Sequence, residues 1–346
     1  GVTMAISADD VQIHNLNYHH MQFNGKLHKG VLYIDDVELQ EQVDVKDKGI
    51  ITAGGLVNLK EKHYDVSLVA VKANPAIAAA FMADPPVITG EMDLNMYLNG
   101  TFSEPTGKAD LVITNGSVSG VTLDKLTAEL TMGDDKIKLD EFQATKDIYG
   151  VQASGDIPLD LFRDKANRRN PKAQMDIEID LANARLAMLP AFTKMVEWAD
   201  GETHGKLTLA GTLEDPLVLG SVEIPEGRVK VADLNTVIDK IHADVEFQGR
   251  KVVMHDLSAV LGKGKVVTNG SYALRADVDE PYSLNVVAEN AELASEIFSG
   301  VINSNVEIVS QEYRDIARRQ GNQPAPLAHR PLIKGLVKLD DVLINL

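Results

Sequence analysis

Apolar and polar residues alternate strictly along most of this chain, and no other feature limits its fold so severely. Met92, Leu94, Met96 and Leu98 are interleaved with Glu91, Asp93, Asn95, Tyr97 and Asn99. Leu126, Ala128 and Leu130 alternate with Thr127, Glu129 and Thr131, and Ile177 and Ile179 stand between Asp176, Glu178 and Asp180. Ala243, Val245 and Phe247 follow the same rule, as do Leu284 and Val286. Period two over such runs describes a strand with one dry and one wet face. Turn signals such as Asn99-Gly100, Asn115-Gly116, Gly133-Asp134 and Asn269-Gly270 separate the runs. The expected fold class is mainly β, largely antiparallel, with roughly twenty strands and a few short helices.

The strands recur in a long repeat. Gly90–Leu159 aligns with Gly205–Leu274, and Gly100, Pro105 and Gly116 match Gly211, Pro216 and Gly227 at a constant offset of 111. Lys136, Phe142, Ala144 and Gly155 match Lys251, Leu257, Ala259 and Gly270 at an offset of 115. A partial earlier copy runs through Val37, Leu39 and Gly55. Such a unit exceeds the ~20–50 residues of common solenoid repeats and reads as a multi-strand sheet module. The chain divides on this basis into a partial first module (1–89), a second (90–204) and a third (205–309). A helix with a flexible insert (310–331) and the start of a further strand (332–346) follow. Each copy ends in an Ala-rich, helix-compatible piece: Asn74–Phe81, Asn183–Phe192 and Asn290–Phe298. From Leu186 to Trp198, Leu189, Phe192, Met195 and Val196 fall on one side of an amphipathic helix. That helix either plugs a gap in the sheet or sits in a groove and gates it. The chain stops inside the alternation Val342-Leu343-Ile344, which suggests a piece of a longer protein.

Chemistry is sparse. With 51 acidic against 34 basic residues, the net charge of −17 argues against nucleic acid and against docking on anionic head groups. The absence of cysteine removes disulfides, thiol catalysis and cysteine-ligated zinc. His14, His19, His20 and His28 crowd fifteen residues near Asp9, Asp10 and Asp35, but their spacing fits no known metal arrangement. They read as scattered surface and edge histidines. No Gly-x-Ser-x-Gly turn and no phosphate-binding loop is present. The expectation is a protein with no catalytic residues, metal or cofactor.

The apolar face then becomes the candidate site. A sheet must bury its dry face against a second layer, inside a barrel, or against a non-protein partner. The dry positions Met92, Leu94, Met96, Leu98, Leu126, Ala128, Leu130, Ile177, Ile179, Ala243, Val245, Phe247, Leu284 and Val286 are mostly aliphatic. That suits flexible acyl chains, which need no specific hydrogen bonds. The competing class is a lipid-free scaffold: a closed-core adhesin, or an edge that pairs with client strands by β-augmentation.

The stretch Gly205-Lys206-Leu207-Thr208-Leu209-Ala210-Gly211-Thr212-Leu213-Glu214-Asp215-Pro216 resembles a repeat of the TamB family. So do the turn Glu226-Gly227-Arg228-Val229, the glycine-spaced run Gly262–Gly270 and the strand from Pro331 to Ile344. The likeness covers about residues 85–346, more weakly 30–80, and the broader AsmA-like group of bridge-type lipid transporters shares the style. It implies a β-taco, a long sheet curled into a U-shaped apolar groove. It also implies a periplasmic protein anchored in the inner membrane by an N-terminal helix absent here. The partners it implies are phospholipid and an outer-membrane barrel of the Omp85 type, in outer-membrane biogenesis.

Overall fold

The computed structural model describes residues 1–42, 49–79, 86–163, 168–170, 172–191, 195–212, 214–274, 281–314 and 327–344. The chain forms two compact units, Gly1–Glu178 with Thr212–Glu214, and Ile179–Gly211 with Asp215–Leu346. The first holds β1 (Val2–Ile13), β2 (Leu16–His28), β3 (Val31–Gln40), β4 (Ile50–Asn58), β5 (His63–Ala73) and β6 (Ile88–Thr101). It continues with β7 (Pro105–Val118), β8 (Val121–Gly133), β9 (Lys136–Lys146) and β10 (Tyr149–Pro158). Strand β11 (Gln174–Arg185) contributes to both units. The second unit holds β12 (Val196–Thr212), β13 (Pro216–Val231), β14 (Val237–Gly249), β15 (Lys251–Leu261), β16 (Gly264–Ala273), β17 (Tyr282–Ala294), β18 (Phe298–Arg314) and β19 (Leu327–Ile344).

Both units are open antiparallel sheets in which each strand pairs with its sequence neighbour, the outcome expected of short turns between alternating runs. Among the described residues no second sheet and no helical layer packs on either. The substantial contacts run between adjacent strands, and the one α-helix among the described residues, α1 (Ala76–Ala79), is a single turn. The molecule exposes 20373 Å². A compact monomer of 37.6 kDa exposes about 13,800 Å². The excess, about half as much again, is what single-layer sheets produce.

The repeat is visible in the backbone. A Cβ on Gly155 would stand 2.0 Å from the Asp176 carbonyl, and on Gly270 1.9 Å from that of Ser283, with φ of +140° and +119°. Gly55 in β4 repeats this, at 2.1 Å from the Asp65 carbonyl. Only glycine lets the neighbouring strand come so close in that conformation. A Cβ on Gly90 would stand 2.8 Å from the Gly116 Cα, and one on Gly201 2.7 Å from the Gly227 Cα, a pair related by the same offset of 111.

Two expected helices are replaced by other structure. Leu186–Ala191 is a 3-10 segment containing Pro190, Met195 is an exposed turn residue, and Val196 opens β12. The amphipathic helix is therefore corrected: Leu189 lies in the 3-10 segment, while Met195 and Val196 do not continue it. The β-branched and alternating Val196-Glu197-Trp198-Ala199 instead joins the ladder opposite β13. Phe192 lies outside the described residues. Residues 310–314, expected to start a helix, extend β18 in register with β19, and 327–331 begin β19. The intervening insert, 315–326, lies outside the described residues. The Ala-rich piece from Asn290 continues β17 to Ala294.

Candidate functional site

Register places the dry positions in rows that cross the strands. In the first unit one row runs Ala8–Met21–Leu39–Ile51–Ala70–Leu94–Leu111–Ala128–Phe142–Ala153, one residue from each of ten strands. The next runs Ile6–Phe23–Val37–Ala53–Leu68–Met96–Ala109–Leu130–Leu139–Gly155. Met92 pairs with Ile113, which pairs with Leu126, and Leu98 meets Val66 and Gly107. No row member carries a charge. The intervening positions are polar apart from Val69: Glu129 faces Asp110 and Glu141, and Glu38 faces Gln22 and Thr52. The periodicity thus converts into two faces because every slip of register in these strands keeps the apolar set on one side.

In the second unit Val222–Val245–Met254–Gly270–Leu284–Ile308–Ile333 form one row. A second is Ile224–Ala243–Leu257–Thr268–Val286–Val306, and Phe247 pairs with Gly220 and Val252. Ile177 and Ile179 alternate along β11 with the exposed Asp176 and Glu178. None of the fourteen sequence-expected lining residues is exposed. Met92, Leu126, Ala128, Ala243 and Leu284 are buried and the remainder are half-buried. Sequence reading missed the contributions of β1–β4, although the alternation in Met21, Phe23, Leu39 and Ile51 carried the same signal.

The rims differ from the face. At one rim of the first unit the connection from β10 to β11 folds inward around Asp160, which is 1 % exposed. Arg163 Nη1 donates to its Oδ1 at 2.6 Å, the Arg169 N–H at 3.0 Å, and the Asn170 N–H reaches Oδ2 at 2.5 Å. Arg163 also bonds Asp135 at 2.9 Å, and Arg169 bonds the Ser103 carbonyl at 2.6 Å. Burial alone would push the Asp160 carboxyl up. The Arg169 N–H, the Arg163 guanidinium and the Asn170 N–H outweigh it and hold the group below the usual carboxylate range. At the opposite rim a cavity of about 330 Å³ is lined by Asp10, Asn17, Tyr18, His19 and Glu41. The clustered histidines diverge: His19 lines this cavity, while His20 Nδ1 meets Asp9 at 2.7 Å.

Within the second unit, a β-bridge between Leu234 and Ser295 joins two turns that a flat sheet would hold about 19 Å apart. The Asn235 N–H donates to the Ala294 carbonyl at 2.7 Å, and the Ala294 N–H to Thr236 Oγ1 at 2.8 Å. The sheet between β13 and β18 is therefore curled.

The family model for the TamB C-terminal domain matches residues 41–256, more than half of the chain. The chain belongs to the TamB family. No curated protein and no solved structure matches it. In this TamB-family chain the matched region takes in strands of both units, from β4 through β15. Among the described residues no helix is long and apolar enough to cross a membrane.

Proposed function

We propose that this TamB-family segment conducts phospholipid acyl chains along its dry face, as a periplasmic part of a bridge between inner and outer membrane. The observation that carries the reading is the uncharged row of ten strands in the first unit, on a face that no second layer among the described residues covers. Burying such a face against lipid tails offsets the cost of leaving it in water, at ~25 cal/mol per Å² of apolar surface. Size also fits. A tail spanning half of a ~30 Å bilayer core would cover about three strand spacings of ~4.8 Å. Movement along the row needs no catalytic group, in keeping with a non-enzymatic role. The association of the TamB family with outer-membrane assembly supports an Omp85-type barrel as the outer partner and an inner-membrane anchor at the other end.

The test is lipid extraction and native mass spectrometry of the purified protein, with photo-crosslinking from position 96. Phospholipid is expected to co-purify and to crosslink at Met96. Met96→Asp places a charge between Leu68 and Ala109 in the row, and it is expected to abolish lipid transfer. A folded Met96→Asp protein that transfers lipid fully would overturn the conduit reading.

A further inference from the structure

We propose that the rim cavity between β1, β2 and the end of β3 binds the primary ammonium of an ethanolamine-type phospholipid head group. The proposal rests on the conduit reading, since the tails of that lipid would lie on the adjoining rows. Position is the first argument. Asp10, His19 and Glu41 each stand two residues beyond Ala8, Met21 and Leu39, the row that runs through all ten strands. Over β1–β3 the apolar track of the first unit is therefore bordered at this rim by a polar pocket, an arrangement suited to an amphiphile.

The lining decides the sign of the ligand. Among the described residues that line the cavity, Asp10 and Glu41 supply carboxylates and Asn17 an amide, and none is Lys or Arg. Such a site favours a cation and disfavours an anionic head group. Glu41 is held in place by the Asn74 N–H, which donates to its Oε1 at 2.7 Å. Burial pushes the Glu41 carboxyl up despite that bond, and a bound ammonium would supply the missing counter-charge.

Tyr18 is the independent observation. Its side chain is 1 % exposed, it forms part of the cavity wall, and its hydroxyl has no hydrogen-bond partner. Buried hydroxyls are nearly always bonded, so an unpaired one beside a cavity points to a missing acceptor. The phosphate of a zwitterionic head group supplies an acceptor next to its ammonium. Burial, with Glu41 adding to it, pushes the phenol up to about 12, so Tyr18 remains a neutral donor throughout the physiological range. A volume of about 330 Å³ lies at the small end of ligand pockets, adequate for a head group and too small for a whole lipid.

The experiment has two arms on the full chain. In the first, glycerophosphoethanolamine and glycerophosphoglycerol are titrated by calorimetry. The ethanolamine compound is expected to bind at least about tenfold more tightly, and Glu41→Gln and Tyr18→Phe to weaken it by about tenfold each with unchanged circular dichroism. Equal binding of the two head groups, or binding that both variants leave intact, would overturn the site. In the second arm, vesicles of phosphatidylethanolamine or phosphatidylglycerol are offered and protein-bound lipid is extracted. Preferential retention of phosphatidylethanolamine, lost in the two variants, is the expected result. Equal retention of both lipids overturns the head-group site and leaves the conduit standing. Retention of neither overturns the conduit, and the lipid-bound form of this site with it.

Discussion

The two units are built from one module and finish it differently. Gly155 and Gly270 bring β10 against β11 and β16 against β17 with nearly the same close approach, so the sheet plan is shared. In the first unit the dry rows are apolar or glycine throughout, and a rim is closed by side chains around the buried Asp160. In the second a dry row contains Thr268, and a rim is closed by backbone contacts at Leu234 and Ser295. Its last strand exposes apolar residues of both parities, Ile333 at 64 % and Leu336 at 74 %. The contrast teaches that repetition dictates the face, where register leaves little freedom. The rims, where loops differ in length and sequence, are free to acquire their own chemistry.

The largest test of this contrast is Asp160→Ala. It removes the acceptor of three hydrogen bonds and leaves the Arg163 charge with Asp135 alone. We expect a loss of about 3 kcal/mol confined to the first unit, because two backbone N–H groups and one guanidinium N–H lose a charged acceptor. Hydrogen exchange resolved by strand measures it, and equal loss of protection in the second unit would contradict the separation. The same group sets a pH dependence. Its folded pKa lies below the unfolded ~3.9, so its stabilisation is complete above that value. It declines as pH falls further, and the decline should be absent in the variant.

A smaller effect tests what the units share. Gly155→Ala and Gly270→Ala force a side chain into a glycine-only conformation against a carbonyl, each costing about 2–3 kcal/mol. The two costs should agree, by denaturant titration of each variant, to within about 1 kcal/mol. A larger gap would mean that the modules are alike in sequence and not in packing.

The smallest concerns the rim of the second unit. Arg250 Nε donates to Asp215 Oδ1 at 3.0 Å and its Nη2 to Oδ2, but both side chains are over a third exposed. Arg250→Ala is expected to cost under about 1 kcal/mol, with the difference shrinking in high salt. A cost comparable to that of Asp160→Ala would erase the distinction between a side-chain-locked rim and a backbone-locked one.

Much of the architecture could be read from residue order. Alternation in Met92–Leu98 and Leu126–Leu130 set strand and face together, since side chains of a strand point alternately to its two sides. The spacing of Gly100, Pro105 and Gly116 disclosed the module. Helical periodicity misled at Leu186–Val196, because a stripe at i, i+3 and i+7 is also met by a short 3-10 segment followed by a strand. The pocket at Tyr18 and Glu41 was illegible for a different reason. Its walls come from β1, β2 and the residue just after β3, polar residues that are ordinary one by one, and a lone tyrosine gives no sign that its hydroxyl will be buried without a partner.

By itself, then, the sequence determined that the chain is an aliphatic-faced antiparallel sheet made of a repeated module, because period two and glycine spacing are local properties of the backbone. Tertiary structure alone decided which rows join across ten strands, that no second layer among the described residues covers them, and which charged residues meet at the rims. Those outcomes depend on register and curl, which are set by pairing between strands and not within them.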